Sequence, residues 1–182
     1  MEELSLHILD IAENSTRAGA TLVRIAVTEA PEEDKLVICI TDNGCGMEED
    51  LLRRVRDPFT TTRTTRKVGL GISLFEEAAA ATGGSLHLCS APGQGTELTA
   101  EFGYAHIDRA PLGDLAETVT ALIQCHAEID FVYEHRYRER AFTLDTRTLR
   151  EVLGGVPLHT PEVLRWIHDF ILENLQQIYM EV

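Results

Sequence analysis

Apolar and polar positions alternate along this chain with two periods, which predict where helices and strands lie. From residue 2 to residue 17 the apolar side chains recur every three or four positions, which predicts a helix that ends at Gly19. From Leu22 to Glu29 they occupy every second position, as in a strand with one buried face. Residues 36–40 are an unbroken apolar run, which predicts a strand covered on both faces.

The middle of the chain continues the alternation of helices and strands. We expect a short helix at 48–54, a polar loop without periodicity at 60–68, and a helix that opens at Gly69 and runs to about Ala81. Two further strands, 85–89 and 96–102, are joined by a turn with the sequence Pro-Gly-Gln-Gly.

The last third of the chain repeats these patterns on a smaller scale. Asp114 and Glu117 have the spacing of a capping box at the start of a helix. Residues 129–144 predict a hairpin with the polar segment 134–139 between its strands, and a short helix follows at 147–153. The final helix, capped by Thr160-Pro161, carries a wide apolar stripe. This stripe either packs on the chain's own sheet or hairpin, or forms a surface for a partner.

Composition excludes several classes of protein. The 182 residues are 44% hydrophobic and 25% charged, as in a globular protein, and contain no apolar run long enough for a membrane span. The formal net charge of −14 argues against general binding to nucleic acid or to an anionic membrane surface. The acidic start of the chain lacks the features of a secretory signal, so we expect a cytoplasmic protein.

The four cysteines form no Cys-x-x-Cys pair, and the seven histidines lack metal-ligand spacing. We therefore expect reduced cysteines and no structural metal. Cys39 and Cys89 fall in predicted strands and are interpreted as small core residues.

Polar residues on the first helix form the first candidate site. His7, Asp10, Asn14 and Arg17 recur at helical spacing, so they share one face. This stripe is either the solvated side of a surface helix or a site in which Asp10 and Asn14, one turn apart, hold a hydrated Mg²⁺ and orient a water or hydroxyl.

A second candidate site follows the predicted strand 36–40. Asn-Gly after a strand is first a tight-turn signal. Asp42, however, can accept a hydrogen bond from an exocyclic amine, while Gly44 and Gly46 let a ligand approach the backbone. The predicted helix N terminus at Gly69-Leu70-Gly71 is a ready anion site. The nearby bases Arg63, Arg66 and Lys67 are therefore placed near phosphates.

These segments, in order, resemble the sequence boxes of the GHKL (Bergerat-fold) ATPase superfamily, which includes histidine-kinase catalytic domains and mismatch-repair ATPases. The boxes are Asp10 with Asn14, Asp42-Asn43-Gly44-Cys45-Gly46, Asp57-Pro58-Phe59, Gly69-Leu70-Gly71 and Gly95-Thr96. The resemblance covers residues 1–104 and implies a two-layer α/β (α+β) sandwich of the Bergerat ATP-binding type. Its mixed β-sheet would carry helices on one face. Residues 105–182 are not covered by the resemblance, and their own pattern predicts a small α/β C-terminal domain with an interaction or packing role.

The resemblance also implies roles for individual residues. Asn14 would coordinate Mg²⁺, Asp42 would bind the adenine amine, Phe59 would pack near a lid, and Thr96 would support the adenine contact through water. Asp10 would be catalytic, although many ATP-hydrolysing relatives carry glutamate there. The complete set expected to bind ATP is Asn14, Asp42, Gly44, Gly46, Met47, Phe59, Arg63, Lys67, Gly69, Leu70, Gly71 and Thr96.

The function expected on this basis is that of an ATP- and Mg²⁺-binding regulatory protein, a histidine-kinase-like ATPase. It would phosphorylate a separate protein partner or use ATP to switch its hold on one, and it could form a homodimer. No phosphoacceptor segment is recognisable in the chain, so autophosphorylation within it is not expected. The alternative is a non-catalytic nucleotide sensor in which ATP orders the lid and exposes a partner-binding face.

Overall fold

The computed structural model describes residues 2–57 and 66–180, with the side chains of 66–70 excepted. Within these ranges the chain forms helices and strands in the following order: α1 (Leu4–Arg17), β1 (Leu22–Ala30), β2 (Lys35–Asp42), α2 (Glu49–Arg54), α3 (Arg66–Ala80), β3 (Ser85–Ser90), β4 (Thr96–Gly103), α4 (Leu115–Cys125), β5 (Asp130–Tyr137), β6 (Arg140–Asp145), α5 (Thr146–Leu153) and α6 (Pro161–Tyr179). A short 3-10 turn, Pro31–Glu33, joins β1 to β2.

The strands form one mixed sheet in the order β3-β4-β2-β1-β5-β6. Neighbouring strands are antiparallel except β1 and β5, which run parallel. In the register of β2 with β4, Asp42 lies opposite Thr96, so the ends of two predicted sequence boxes meet at one edge of the sheet. The predicted α/β class with a mixed sheet is confirmed.

Among the described residues, the core side chains of β1 and β2 lie on one face of the sheet, the face that the helices cover. In β1 the side chains of Val23, Ile25 and Val27 are buried, whereas the residues between them are exposed or partly exposed. The prediction that residues 36–40 are covered on both faces is wrong, because Val37 and Cys39 point to the open face and are only partly buried. For the same reason Cys89 is exposed instead of belonging to the core.

The first helix lies where the sequence predicts it, but its polar stripe is not uniform. His7 is buried and its ring stacks on Phe75 of α3, with the centroids 5.4 Å apart. Burial lowers the pKa of His7, although Glu2 and Asp10 oppose the shift. The reading of this stripe as a solvated face is therefore wrong at His7, which packs α1 against α3.

The third helix begins earlier than predicted. It starts at Arg66, so residues 66–68 are helical and do not belong to the loop. By these bounds Gly69 is the fourth residue of α3 and still lies in its first turn, whereas Gly71 is the sixth residue, beyond the four N–H groups that a helix start leaves free. The prediction that the helix opens at Gly69-Leu70-Gly71 is wrong for this structure.

The C-terminal third continues the same sheet. The helix start at Asp114 is confirmed, since its carboxylate accepts a hydrogen bond from the backbone N–H of Glu117; this is the N-cap half of the predicted capping box. The hairpin is longer than predicted, because most of the polar segment 134–139 lies within β5 and the tight turn is at Arg138, whose φ is positive. Thr160 does not cap α6 with its side chain, since its hydroxyl donates to the carbonyl of Pro157.

The apolar stripe of α6 packs on the rest of the molecule. Four of its side chains are buried: Val163, Ile167, Ile171 and Ile178. Its neighbours are α4 and the strands β5 and β6. The packing interpretation of this stripe is confirmed for these positions.

Candidate functional site

A cavity of about 200 Å³ lies where α1, the end of β2 and the β3-β4 hairpin meet. Its walls are mostly apolar, and its polar groups come from α1, Asp42 and Thr96. The lining residues are Ile11, Asn14, Ser15, Arg17, Ala18, Ile40, Asp42, Cys45, Gly46, Met47, Leu51, Ile72, Leu88, Thr96 and Leu98. Four predicted ATP-binding residues besides Asn14 therefore line the same cavity, namely Asp42, Gly46, Met47 and Thr96. A mostly apolar cavity with a few polar groups is typical of a small-molecule site.

Asp42 is the carboxylate of this cavity, and two groups hold it in place. Its Oδ2 accepts a hydrogen bond of 2.6 Å from the hydroxyl of Ser15, and its Oδ1 accepts one of 2.8 Å from the backbone N–H of Gly44. Each carboxylate oxygen keeps a further lone pair, so Asp42 can still accept a hydrogen bond from a ligand. Ser15 was not predicted as a site residue, although it follows Asn14 directly in the sequence.

Asn14 presents an unsatisfied amide group to the cavity. Its Oδ1 accepts a hydrogen bond of 2.8 Å from Arg17, and its buried Nδ2 has no hydrogen-bond partner among the described residues. A buried donor without a partner is costly, so a group that accepts from it would be stabilised here. Asn14 and Arg17 together offer an N–H donor and a cation at the edge of the cavity.

Asp10 lies one helical turn before Asn14 but outside the cavity lining. Both residues face Gly71 of α3, where a Cβ would lie 3.5 Å from the Cβ of Asp10 and 3.9 Å from Nδ2 of Asn14. Asp10 as a whole is exposed, but the surrounding protein shields its carboxyl from part of the water and thereby raises its pKa. The charge of Glu2 adds to this effect. The structure therefore brings Asp10 close to Asn14 and leaves it open to solvent.

The glycines of this region allow backbone to pack on backbone. At Gly46, where φ is +71°, a Cβ would lie 1.9 Å from the carbonyl oxygen of Ala91 in the hairpin turn. At Gly95 a Cβ would lie 2.0 Å from the carbonyl oxygen of Asp42. At Gly44 it would meet Ala18 at 2.9 Å. These positions exclude side chains because the loop after β2 is pressed between α1 and the hairpin.

A hydroxyl network fixes the cavity wall beside the hairpin. Ser90 donates a hydrogen bond to the carbonyl of Gly95 and accepts one from the backbone N–H of Met47, each 2.9 Å long. The hydroxyl of Thr96 lies 2.9 Å from that of Ser90, and since the Ser90 hydrogen is engaged, Thr96 is the donor. Sequence reasoning missed Ser90, which carries no motif signal because serine is common at strand ends.

Asn43, by contrast, is a structural residue. Its side-chain oxygen accepts hydrogen bonds from the backbone N–H groups of Thr21 and Leu22, and its amide donates to the hydroxyl of Thr21. It thereby ties the loop after β2 to the start of β1. Neither the turn interpretation nor the ligand interpretation of the Asn-Gly pair anticipates this contact.

Several predicted site residues fall in or next to the part of the chain that is not described. Phe59 and Arg63 lie outside the described residues, as does most of the predicted lid, 60–68. Lys67, Gly69 and Leu70 are placed only as part of α3. Of the other bases in this region, Arg56 forms an ion pair of 2.6 Å with Glu76 and Arg53 one of 2.5 Å with Glu49.

Comparison with known proteins identifies the region that contains the cavity. Residues 2–106 match the family model described as "Histidine kinase-, DNA gyrase B-, and HSP90-like ATPase". The signal transduction histidine-protein kinase AtoS of Escherichia coli is 32% identical over 99 residues, which are 54% of this chain and 16% of that protein. The sensor protein kinase FleS of Pseudomonas aeruginosa is 36% identical over 89 residues, 49% of this chain and 22% of that protein. This chain thus spans about a fifth or less of the length of these relatives.

Solved structures share the fold. The Aquifex aeolicus MutL ATPase domain complexed with ADP superposes with a TM-score of 0.51 at 13% identity, over 85% of this chain and 70% of that one. The N-terminal domain of a DNA repair protein superposes with a TM-score of 0.53 at 12% identity, over 80% of this chain and 53% of that one. Among the described residues, no helix is both long and apolar enough to cross a membrane.

Proposed function

This chain belongs to the family of histidine kinase-, DNA gyrase B- and HSP90-like ATPases, and on that premise we propose that it is an ATP- and Mg²⁺-binding regulatory protein that acts on, or switches, a separate protein partner. ATPase domains of this family bind adenine nucleotides, and the MutL domain with the same fold is complexed with ADP. The steps beyond nucleotide binding, namely transfer to a partner or an ATP-driven switch, belong to the proposal.

The observation that carries the proposal is the position of the Asp42 carboxylate. It stands in a mostly apolar cavity, is oriented by Ser15 and Gly44, and keeps free lone pairs. Such a group accepts a hydrogen bond from the exocyclic amine of adenine and repels the carbonyl that guanine has at that position. Apolar side chains, among them Ile40, Leu88 and Leu98, suit the two faces of a purine ring.

The edge of the cavity suits phosphates and a hydrated Mg²⁺. Arg17 places a cation there, and the unpaired Nδ2 of Asn14 can donate to an anionic oxygen. The Oδ1 of Asn14 accepts one hydrogen bond from Arg17 and keeps a second lone pair, so it can supply one of the oxygen ligands that Mg²⁺ takes. A bound Mg²⁺ would neutralise charge on the phosphates.

Asp10 is the residue of this chain placed to act on a nucleophile. Its solvent-facing carboxyl lies one turn from Asn14, where it can orient a water or the hydroxyl of a partner. Because burial raises the pKa of Asp10, the carboxylate is a stronger base than a free aspartate. We therefore assign it the catalytic role in this proposal.

A second function, a non-catalytic nucleotide sensor, is favoured by one observation: Asp10 does not line the cavity that would hold the base. Incubation with γ-labelled ATP and candidate partner proteins distinguishes the two functions. Label on protein supports a kinase, and free phosphate alone supports an ATPase switch. The absence of both products supports the sensor.

Nucleotide binding is tested by thermal unfolding with Mg²⁺ and ATP, ADP or GTP. At about one hundred times its Kd a ligand stabilises the fold by about 2.7 kcal/mol. For a chain of this size that raises the melting temperature by about 5–11 °C. We expect the shift with ATP and ADP, a smaller one with GTP, and none with ATP in Asp42→Asn, because the amide can present a donor to the adenine amine.

The exposed acid Asp108 provides the matched control, because it follows the far end of β4, the strand whose first residue, Thr96, lines the cavity. The variant Asp108→Asn removes the same charge and should keep the shift. A wild-type protein that shows no shift with either adenine nucleotide contradicts the whole proposal.

The remaining parts of the proposal concern the molecule as a whole. We propose that 1–104 acts as the nucleotide-binding unit and that 105–182 contributes to partner recognition. A cytoplasmic location and a homodimer stay predictions.

A further inference from the structure

A second concave surface lies far along the chain from the Asp42 cavity, between the last two helices. Its volume is about 570 Å³, and we call it the α5-α6 groove. Its lining is almost entirely apolar, with one carboxylate. The lining residues are Thr148, Leu149, Val152 and Leu153 of α5 and Glu162, Val163 and Trp166 of α6.

The groove is a rigid feature because both of its helices are anchored. Arg150 of α5 donates to the carboxylate of Asp130 at 2.8 Å and to the carbonyl of Ala127. The hydroxyl of Thr146, at the start of α5, accepts from the backbone N–H of Phe131 at 2.9 Å. Leu158, in the loop that leads to α6, is buried in the core. The two walls therefore keep their separation without an occupant.

Large apolar side chains are nevertheless exposed at this groove. Val152 is 78% exposed, Trp166 is 49% exposed, and Val156 in the connecting loop is also exposed. The Trp166 ring is held by stacking on Phe170, with the centroids 5.1 Å apart. Rigid, half-exposed aromatic side chains beside aliphatic ones are typical of the energetic centres of protein interfaces.

The charges around the groove favour a partner with positive charge. Glu162 is the one charged side chain among its lining residues, and it forms no ion pair with the described residues. The arginines of α5 are already neutralised, because Arg147 pairs with Asp145 and Arg150 with Asp130, each at 2.8 Å. Arg165, the exposed base of α6, does not line the groove. The groove itself therefore presents one unpaired negative charge, and the formal net charge of −14 on the whole chain adds a general attraction for cations.

We propose that the α5-α6 groove is a docking site for a cationic amphipathic helix of a partner protein. Its apolar residues would cover Val152 and Trp166, and its flanking lysines or arginines would face Glu162. The eight residues of α5 extend over about 12 Å, so the groove accommodates roughly two turns of such a helix. This inference deepens the partner part of the proposed function and rests on it, but it does not depend on nucleotide binding.

The sole tryptophan of the chain is itself the reporter of this interaction. The probe is a synthetic amidated helix of about 18 residues, long enough to be helical, with leucines on one face and lysines on the other. Titrated into the whole chain, it should shift Trp166 emission to shorter wavelength with a saturable curve. The same peptide with glutamate in place of lysine should leave the emission unchanged, and equal binding of both peptides would overturn the charge argument.

Two matched variants separate groove binding from general attraction to an acidic protein. Val152→Asp places a charge in the groove, whereas Ile107→Asp places the same charge at a side chain that is 91% exposed in the 104–114 loop. We expect Val152→Asp to weaken binding of the lysine peptide by about tenfold or more, the factor that corresponds to about 1.4 kcal/mol, because the new carboxylate would be buried against the leucines of the peptide and not beside its lysines. Ile107→Asp should bind it as the wild type does. Equal affinities of the two variants would overturn the proposal.

Other occupants are separate outcomes of the same design. Concentration-dependent self-association that is lost only in Val152→Asp would assign the groove to a second copy of this chain and overturn the proposal. Binding to phosphatidylcholine vesicles that is lost only in this variant would assign it to a lipid surface, with the same consequence. Glu162→Lys provides a second variant, which should reverse the peptide preference. The ATP-induced melting shift is measured on each protein, so a failure of nucleotide binding is distinguishable from a failure of the groove.

Discussion

Replacing Gly46 by alanine tests whether the cavity depends on close packing of the loop after β2 against the β3-β4 hairpin. The added Cβ would stand 1.9 Å from the carbonyl oxygen of Ala91, whereas ordinary contact begins at 3.4 Å. The loop and the turn would therefore have to separate by about 1.5 Å, the difference of 3.4 and 1.9. Gly46 also has a positive φ, which alanine adopts only with strain.

The expected cost has two parts. The left-handed backbone costs an alanine about 1–2 kcal/mol. Separation of the loop from the turn would also break two hydrogen bonds: one of 2.7 Å from the N–H of Gly93 to the carbonyl of Cys45, and one of 2.9 Å from the N–H of Met47 to Ser90. At about 0.5–1.5 kcal/mol each these add about 1–3 kcal/mol. The total for Gly46→Ala is about 2–5 kcal/mol.

Gly93→Ala is the matched control, because Gly93 has a similar φ of +75° and a Cβ there would meet nothing within 4 Å. It should cost only the backbone strain, about 1–2 kcal/mol. At about 2–4 °C per kcal/mol, thermal unfolding should place Gly46→Ala about 2–12 °C below Gly93→Ala. Since Gly46 and Met47 line the cavity, the ATP-induced shift should also shrink in Gly46→Ala and persist in Gly93→Ala. Equal melting temperatures and equal ATP shifts would refute the packing argument.

Two further predictions concern the carboxylates of Asp10 and Glu29. Asp10→Asn should keep the ATP-induced shift in melting temperature while lowering phosphate turnover or transfer by about 10²–10⁴-fold. Unchanged turnover would mean that Asp10 has no catalytic role. Burial alone would raise the pKa of Glu29, but hydrogen bonds from His135 and Tyr179 outweigh it and hold that pKa below 4.5. A depressed carboxyl pKa stabilises the fold above the unfolded value, so unfolding measured in denaturant should lose this contribution as pH falls below about 4.5 in the wild type and not in Glu29→Gln.

The sequence predicts the framework of the candidate site because the deciding signals are local. The helical spacing of α1, the apolar strand that ends at Asp42 and the glycine-containing turn before Thr96 each depend on neighbouring residues. Their order matches a known family, and the structure brings Asn14, Asp42 and Thr96 to one cavity. The start of α3 was predicted less well, since glycine is a weak boundary signal when basic residues with good helix propensity precede it.

Contacts between distant segments could not be predicted in the same way. Ser15 binds Asp42, which is 27 positions away, and Ser90 binds Gly95 and Thr96, which are 5 and 6 positions away. The periodicity of apolar residues reveals none of these hydrogen bonds. His7 occupies a polar stripe, yet it is buried because Phe75 of α3 covers it. The attachment of β5 to β1 is a parallel pairing across about a hundred residues, and an apolar alternation alone does not choose between a separate hairpin and an added pair of strands.

Gly46, after β2, and Gly95, in the β3-β4 turn, belong to the matched sequence boxes, yet both are explained by packing against neighbouring backbone. Gly46 lines the cavity, but contact with Ala91 excludes a side chain there whether or not a ligand is bound. Gly95 is likewise pressed on the carbonyl of Asp42, and its own carbonyl accepts the hydrogen bond of Ser90. In the proposed function these glycines would act on a ligand indirectly, because Gly95 packs on the backbone of Asp42 and Gly46 packs on the same hairpin turn. Substitutions at Gly46 and Gly95 should accordingly change stability and nucleotide affinity together, whereas substitution of Asp42 should change affinity with little effect on the unliganded fold.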